Sequence, residues 1–272
     1  MSVLLHISDP HFGTEQPAVA DALKALAAQL NADILVLSGD ITQRARTEQF
    51  AAARAFCDSL RIPKMLSLPG NHDIPLYNVL ARLVAPFRGY QKHFGEELEP
   101  TIELPDAVVI GVNTTRPERH TDGEVSNKQI ERVVQALQRF GPDKLRVVVT
   151  HQPACVTRAE DEKDRLHGGA EAVKAWAHAG ADLVLGGHIH LPYVSDVCSR
   201  VKDTKRPMYC VQAGTALSTR VRHNTPNSVN VIRWRSPAAG DAQRVCVVER
   251  WDYDLADARF EMTHPYDLKL GN

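Results

Sequence analysis

Five short clusters hold most of the metal-binding chemistry this sequence offers: Asp9-Pro10-His11, Gly39-Asp40, Gly70-Asn71-His72-Asp73, His151-Gln152-Pro153 and Gly186-Gly187-His188-Ile189-His190. Each follows a short apolar run that reads as a strand. Functional groups in open α/β sheets lie beyond the carboxyl ends of the strands, so the clusters are expected to converge. Glycines ahead of three of them (Gly39, Gly70, Gly187) allow sharp turns and close backbone approach to a ligand. Imidazole nitrogen suits Zn, Fe, Mn and Ni, while carboxylate and amide oxygens suit harder ions such as Mn and Mg. His and Asp without thiolate is not the donor set of a structural zinc site. Asp9, His11, Asp40, Asn71, His151, His188 and His190 give seven candidate ligands. One tetrahedral ion needs about four, and seven suffice for two ions that share a carboxylate.

The elements that must position these clusters can be read from periodicity. Val3–Ile7 reads as a strand, and Val19, Leu23, Leu26 and Leu30 recur on one face of a following helix. Ile34–Leu37 is a second strand, Thr47–Leu60 a helix and Lys64–Leu68 a third strand, a β-α-β-α-β rhythm that implies a sheet covered by helices. Residues 74–100 interrupt it with amphipathic, Pro-punctuated sequence that reads as a helical excursion capping the site. The core resumes with Ala107–Val112, a helix near Asn127–Phe140, Arg146–Thr150, a helix near Ala170–Ala179 and Leu183–Leu185. The tail, 192–272, is β-rich, with strands expected at Pro192–Val197, Met208–Gln212, Ser228–Arg235 and Arg244–Tyr253 and a turn at Ser236–Asp241. No linker divides the chain, so 1–272 is expected to be a single α/β domain.

Bulk properties exclude several classes. A formal charge of −1 with no dense Lys/Arg run argues against long nucleic acid as a partner. Five scattered cysteines without a C-x-x-C pair point to reduced thiols, not a disulfide frame. No apolar stretch reaches the ~18 residues of a membrane span, and no leader-like segment opens the sequence, so a cytoplasmic location is expected.

The series D-x-H, G-D, G-N-H-D, H and G-H-x-H resembles the calcineurin-like metallophosphoesterase family, in the family's order and over roughly residues 3–215. The resemblance is nearest to the bacterial cyclic-nucleotide and glycerophosphodiester phosphodiesterase branch. It implies a four-layer α/β/β/α sandwich of two mixed sheets with the site at one sheet edge. It assigns Asp9, His11, Asp40 and His190 to one metal ion and Asp40, Asn71, His151 and His188 to a second, with Mn, Fe or Zn as the ions. It places His72 against the substrate as the group that serves the leaving oxygen. The mechanism it implies is attack on phosphorus by a metal-bridging hydroxide. Asp73 would either orient the His72 ring or close the loop.

Further contacts are expected near the mouth of the site. Asn113 and Arg116 follow the Ala107–Val112 strand, and a guanidinium there could pair with phosphate. His167 could touch substrate or be a loop residue. Arg220 and Arg222, in the stretch from Gly214, could contact phosphate or a nucleotide or lie on the surface. His6, His93, His120, His178, His223 and His264 read as structural. The expected reaction is hydrolysis of a small phosphodiester. Within the fold the alternatives are a phosphomonoesterase and a nucleotide-lipid pyrophosphatase. A protein-binding scaffold would show gaps in the ligand motif, and this sequence has none. An exposed apolar face on residues 74–100 would favour a homodimer.

Overall fold

The chain's frame, seen in a computed structural model that describes residues 1–222, 225–236 and 243–271, is a pair of six-stranded sheets. His223 and most of the turn expected after Ser236 lie outside the described residues. In the first sheet β1 (Ser2–Ile7) has β2 (Ile34–Leu37) and then β3 (Lys64–Ser67) parallel on one side. On the other side come β10 (Ser228–Trp234), β11 (Arg244–Asp254) and β12 (Arg259–Leu270), all antiparallel. The second sheet runs β4 (Thr101–Glu103), β5 (Ala107–Gly111), β6 (Leu145–Val149), β7 (Leu183–Gly186), β9 (Tyr209–Gln212) and β8 (Tyr193–Asp196). Its four inner strands are parallel and its two edges antiparallel.

The strands read as near-continuous apolar runs because both faces of each sheet are covered. Successive side chains alternate between two cores, as the period of two requires. Leu4, Ile34, Val36, Val109, Val147 and Leu185 meet between the sheets. Their neighbours Leu5, Leu35 and Leu37 pack outward against Leu23, Leu26 and Phe50 of α1 (Pro17–Leu30) and α2 (Thr47–Ser59). Val108, Val148 and Val184 pack outward against Val133, Leu137 and Trp176 of α5 (Asn127–Leu137) and α6 (Gly169–His178). The result is the four-layer α/β/β/α sandwich. Helix limits follow local chemistry: Pro17 opens α1, and a Ser126–Gln129 capping box opens α5.

Two strands went unread in the sequence. β4 is only three residues long, and β12 is an edge strand that carries Pro265, tolerated there because an edge leaves one side of the ladder unbonded. The excursion forms α3 (Val79–Val84) and α4 (Arg88–Phe94). α4 is anchored by buried Tyr90, whose hydroxyl donates to the Ser67 carbonyl at 2.8 Å. α3 buries nothing: Val79, Leu80, Leu83 and Val84 are all exposed, as is Tyr77 ahead of it. No helix among the described residues is long and apolar enough to cross a membrane.

Candidate metal centre

The two sheets bring five loops together at one end of the seam between them. Asp9 and His11 follow β1, Asp40 follows β2 and Asn71 follows β3, while His151 follows β6 and His188 and His190 follow β7. Asp9, His11, Asp40, His188 and His190 all have positive φ, between 44° and 72°. A non-glycine residue in that region is uncommon and persists only where its surroundings over-determine it. Here the surroundings are cross-loop hydrogen bonds: Asp9 N donates to Gly39 O (3.0 Å), His11 N to Asp40 O (3.1 Å) and His188 N to the Asp9 carboxylate (2.8 Å). Gly187 fits because a Cβ there would lie 2.7 Å from Ser8 Cβ and closer still to Asp9.

Donor atoms converge in three overlapping groups. Asp9, His11 and His190 form one, Asp40, His151 and His188 another, and His11, Asp40 and His72 a third that links them, each with ligand atoms within 4.8 Å of one another. Asp40 turns Oδ2 toward His11 Nε2 (3.7 Å) and Oδ1 toward His151 Nε2 (3.3 Å). Asn71 Oδ1 is 3.2 Å from His151 Nε2, and His190 Nε2 is 3.3 Å from Asp9 Oδ1 and 3.1 Å from His11 Nε2. The backbone sets the tautomers, since a carbonyl can only accept. His151 Nδ1 donates to Ser38 O (2.8 Å) and His190 Nδ1 to Arg220 O (2.6 Å). Both rings therefore aim an Nε2 lone pair inward, as metal-ligating imidazoles do.

The residues fit a cation. Asp9 Oδ1 and His188 Nδ1 are buried with no hydrogen-bond partner. Burial opposes charge on Asp9 and Asp40. The imidazoles of His190 and His151 beside Asp9, and of His151, His72 and His11 beside Asp40, outweigh it and hold both acids below the ordinary carboxylate range. His151 is pushed up to about 9, since Asp40 and the Ser38 carbonyl overcome the effect of burial. Burial wins at His11, lowered to about 3, and at His188, lowered to about 4.

His72 borders the donors but is held differently. Its Nδ1 donates to Gln43 O (3.0 Å), and its Nε2 lies 3.1 Å from the Arg220 guanidinium. His72 also lines the cleft, and its ring shares a group of donor atoms with His11 and Asp40. Asp73 does not touch that ring. Its carboxylate accepts from Gly70 N, Ile41 N, Thr42 N and the Thr42 hydroxyl at 2.8–3.0 Å, closing the loop instead. Arg220 also reaches Gln43 Oε1 (3.2 Å) and the His11 ring (3.4 Å).

Other expected contacts fall elsewhere. Asn113 accepts from the Thr115 hydroxyl (2.7 Å), and Arg116 donates to Asn113 O, Thr115 O and Gln129, so both line a separate depression. His167 is half-exposed beside Asp122 and does not line the cleft. Arg222 does line it, but its guanidinium is held by Asp161 (2.6 Å), Glu160 (3.0 Å) and Ile189 O (3.2 Å). Sequence reading missed Gln43 and the cleft wall at 159–164, whose charge-rich run looks like an ordinary solvated loop.

Fold and site together define the metallophosphoesterase class. The family model for calcineurin-like phosphoesterases matches residues 2–192, and the chain belongs to that family. A Synechococcus protein named "Probable cyclic nucleotide phosphodiesterase" is 26% identical over 169 residues, 61% of this chain and 61% of that protein. The glycerophosphodiester phosphodiesterase GpdQ of Enterobacter lignolyticus is 37% identical over 82 residues, 26% of this chain and 29% of its own length. Each match thus spans less than two thirds of the relative. Among solved structures, a dimetal phosphatase from Danio rerio superposes with a TM-score of 0.65 at 13% identity, covering 99% of both chains. Purple acid phosphatase from yellow lupin gives 0.68 at 14% identity, covering 98% of this chain and 53% of that one. These two share the fold.

Proposed function

We propose that the chain hydrolyses small phosphodiesters of the cyclic-nucleotide or glycerophosphodiester type. Asp9, His11, Asp40 and His190 would hold one metal ion, and Asp40, Asn71, His151 and His188 a second. The observation that carries this reading is Asp40, whose two oxygens face His11 and His151 separately. When bound, such a pair of ions polarises phosphoryl oxygens and lowers the pKa of water.

The chain's own residues do the rest. The Arg220 guanidinium, beside the donors, binds a phosphoryl oxygen and offsets its charge. His72 presents Nε2 at the cleft and moves a proton at the leaving oxygen, with Gln43 O fixing its ring through Nδ1–H. Asn71 adds a neutral oxygen, which limits negative charge around an anionic substrate. Diester preference is supported by the names of both curated relatives.

The test compares bis(p-nitrophenyl) phosphate, p-nitrophenyl phosphate, a glycerophosphodiester and 2′,3′- and 3′,5′-cyclic nucleotides, with Mn added. Diesters are expected to be preferred. The variant His72→Ala is expected to lose about 10²- to 10⁴-fold in kcat with unchanged metal content. Preference for the monoester overturns the substrate class, and undiminished kcat removes His72 from the reaction.

A further inference from the structure

Beside the cleft that holds the donor atoms lies a second, smaller cavity of about 210 Å³. It shares Asn71, His72 and Thr121 with the cleft, so the two meet at the residue proposed to serve the leaving oxygen. Three separate stretches wall it. Gln43 and Arg44 come from the loop after β2, Ile74, Leu76 and Arg82 from the helical excursion, and His120 from the loop after β5.

We propose that this cavity receives the leaving alcohol and selects one that carries an anionic group, such as a phosphate, sulfonate or carboxylate. The proposal rests on the phosphodiesterase reading and names its substrate class: linear diesters with a second negative charge on the alcohol that is released. In the reaction the oxygen of water bonds to phosphorus and the bond from phosphorus to the leaving oxygen breaks. One proton of that water ends on the leaving oxygen by way of His72. The products are a monoester of the retained alcohol and the free anionic alcohol.

Positive charge without a counter-charge carries the inference. No carboxylate lines the cavity. Arg44 and Arg82 do line it, and Arg220 reaches Gln43 Oε1 (3.2 Å) and His72 Nε2 (3.1 Å) at its boundary with the cleft. Among the described residues none of these three guanidiniums is in an ion pair with a carboxylate, and their partners are uncharged groups. Arg82 donates to the carbonyls of Pro117 (2.5 Å) and Arg119 (3.0 Å), and Arg44 lies over the Tyr77 ring, 5.8 Å from its centroid. Such partners orient a guanidinium and leave its charge in place. The acids of the neighbouring loop are engaged elsewhere: Glu124 pairs with Arg119 (2.7 Å), and Asp122 lies beside His167 (3.9 Å). Arg222, across the cleft, shows the contrast, since Asp161 and Glu160 hold it.

Size and surface agree with this use. Whole ligands usually occupy about 300–1,000 Å³, so 210 Å³ suits one arm of a diester whose phosphate lies in the cleft. Ile74 and Leu76 offer apolar surface to the carbons that join the leaving oxygen to the anion. Like charges gathered in a recess raise the local concentration of an oppositely charged group.

The test uses the Mn-loaded protein and two diesters, ethyl 4-sulfophenyl phosphate and ethyl 4-sulfamoylphenyl phosphate. Their leaving groups are nearly isosteric, one anionic and one neutral. The readout is the ratio of the two kcat/KM values, compared between proteins so that the intrinsic reactivity of the esters cancels. Arg44→Gln is expected to lower this charged-to-neutral ratio about three- to tenfold, the range of a partly solvated ion pair. Arg44→Glu is expected to lower it further, and Arg44→Lys to retain most of it. Arg44 is exposed, so these replacements are expected to leave the fold intact. In the wild-type protein the ratio should also fall as NaCl rises from about 50 mM to about 0.5 M. A ratio that is the same in the wild-type, Gln and Glu proteins overturns the subsite and leaves the phosphodiesterase reading intact, because both esters are still cleaved. Cleavage of neither ester overturns both together.

Discussion

Replacing Gly187 by Ala tests whether the metal centre depends on backbone contact as tight as the structure shows. The added methyl would lie 2.7 Å from Ser8 Cβ, with Ser8 Oγ and Asp9 Oδ2 closer, and Ser8 and Asp9 are fully buried. Ordinary contact begins near 3.4 Å, so the β1 loop or the β7 loop must move by roughly 1 Å. Overpacking of this kind costs about 1–3 kcal/mol of stability. The functional cost is larger, because Asp9 is both a donor and the acceptor for His188 N at 2.8 Å. A misplacement of about 1 Å is worth roughly a hundredfold in rate. The assay is kcat/KM on bis(p-nitrophenyl) phosphate across a Mn titration, with thermal unfolding alongside. Gly141→Ala is the control, since its nearest neighbour is the side chain of exposed Asp143. Gly187→Ala activity within threefold of wild type, at unchanged Mn affinity, would refute the claim that this contact sets the donor geometry.

Two further outcomes concern stability. His6 is buried against Ser38 Oγ (2.9 Å), and burial lowers it to about 3 despite Asp9. Its folded value lies below the unfolded one near 6.5, so its contribution is present above that pH and lost as pH falls. In the presence of a chelator, the stability difference between wild type and His6→Gln should drop by about 2 kcal/mol between pH 7.5 and pH 5, read by urea unfolding; a pH-independent difference contradicts the assignment. Leu80 on α3 is 72% exposed, so Leu80→Ser should change unfolding free energy by less than ~0.5 kcal/mol. A loss above ~1 kcal/mol would mean that the α3 face is covered in solution.

The inner strands were legible because apolar runs such as Val3–Ile7 and Arg146–Thr150 are buried on both faces, and composition alone then marks them. β12 escaped because its buried residues, Phe260, Leu268 and Leu270, are interrupted by Pro265 and exposed polar side chains. The donor clusters were readable because short side chains at strand ends have little freedom in where they point. Long or self-bonding ones do. Arg116 folds back onto carbonyls of its own loop, and Asn113 spends its oxygen on Thr115. β5, which they follow, also stands one strand beyond β6 in its sheet, about 4.8 Å to the side. The Asp161 wall depends on a contact with Arg222, 61 residues away, which no local pattern encodes.

The pairing of β1 with β10 also sets an order of events at the ribosome. All seven candidate donors emerge by His190, yet β1, which carries Asp9 and His11 at its end, gains its β10 neighbour only when residues 228–234 appear. The carbonyl that fixes the His190 tautomer, on Arg220, also comes late. A nascent chain would therefore display every candidate donor before β1 has both of its neighbours.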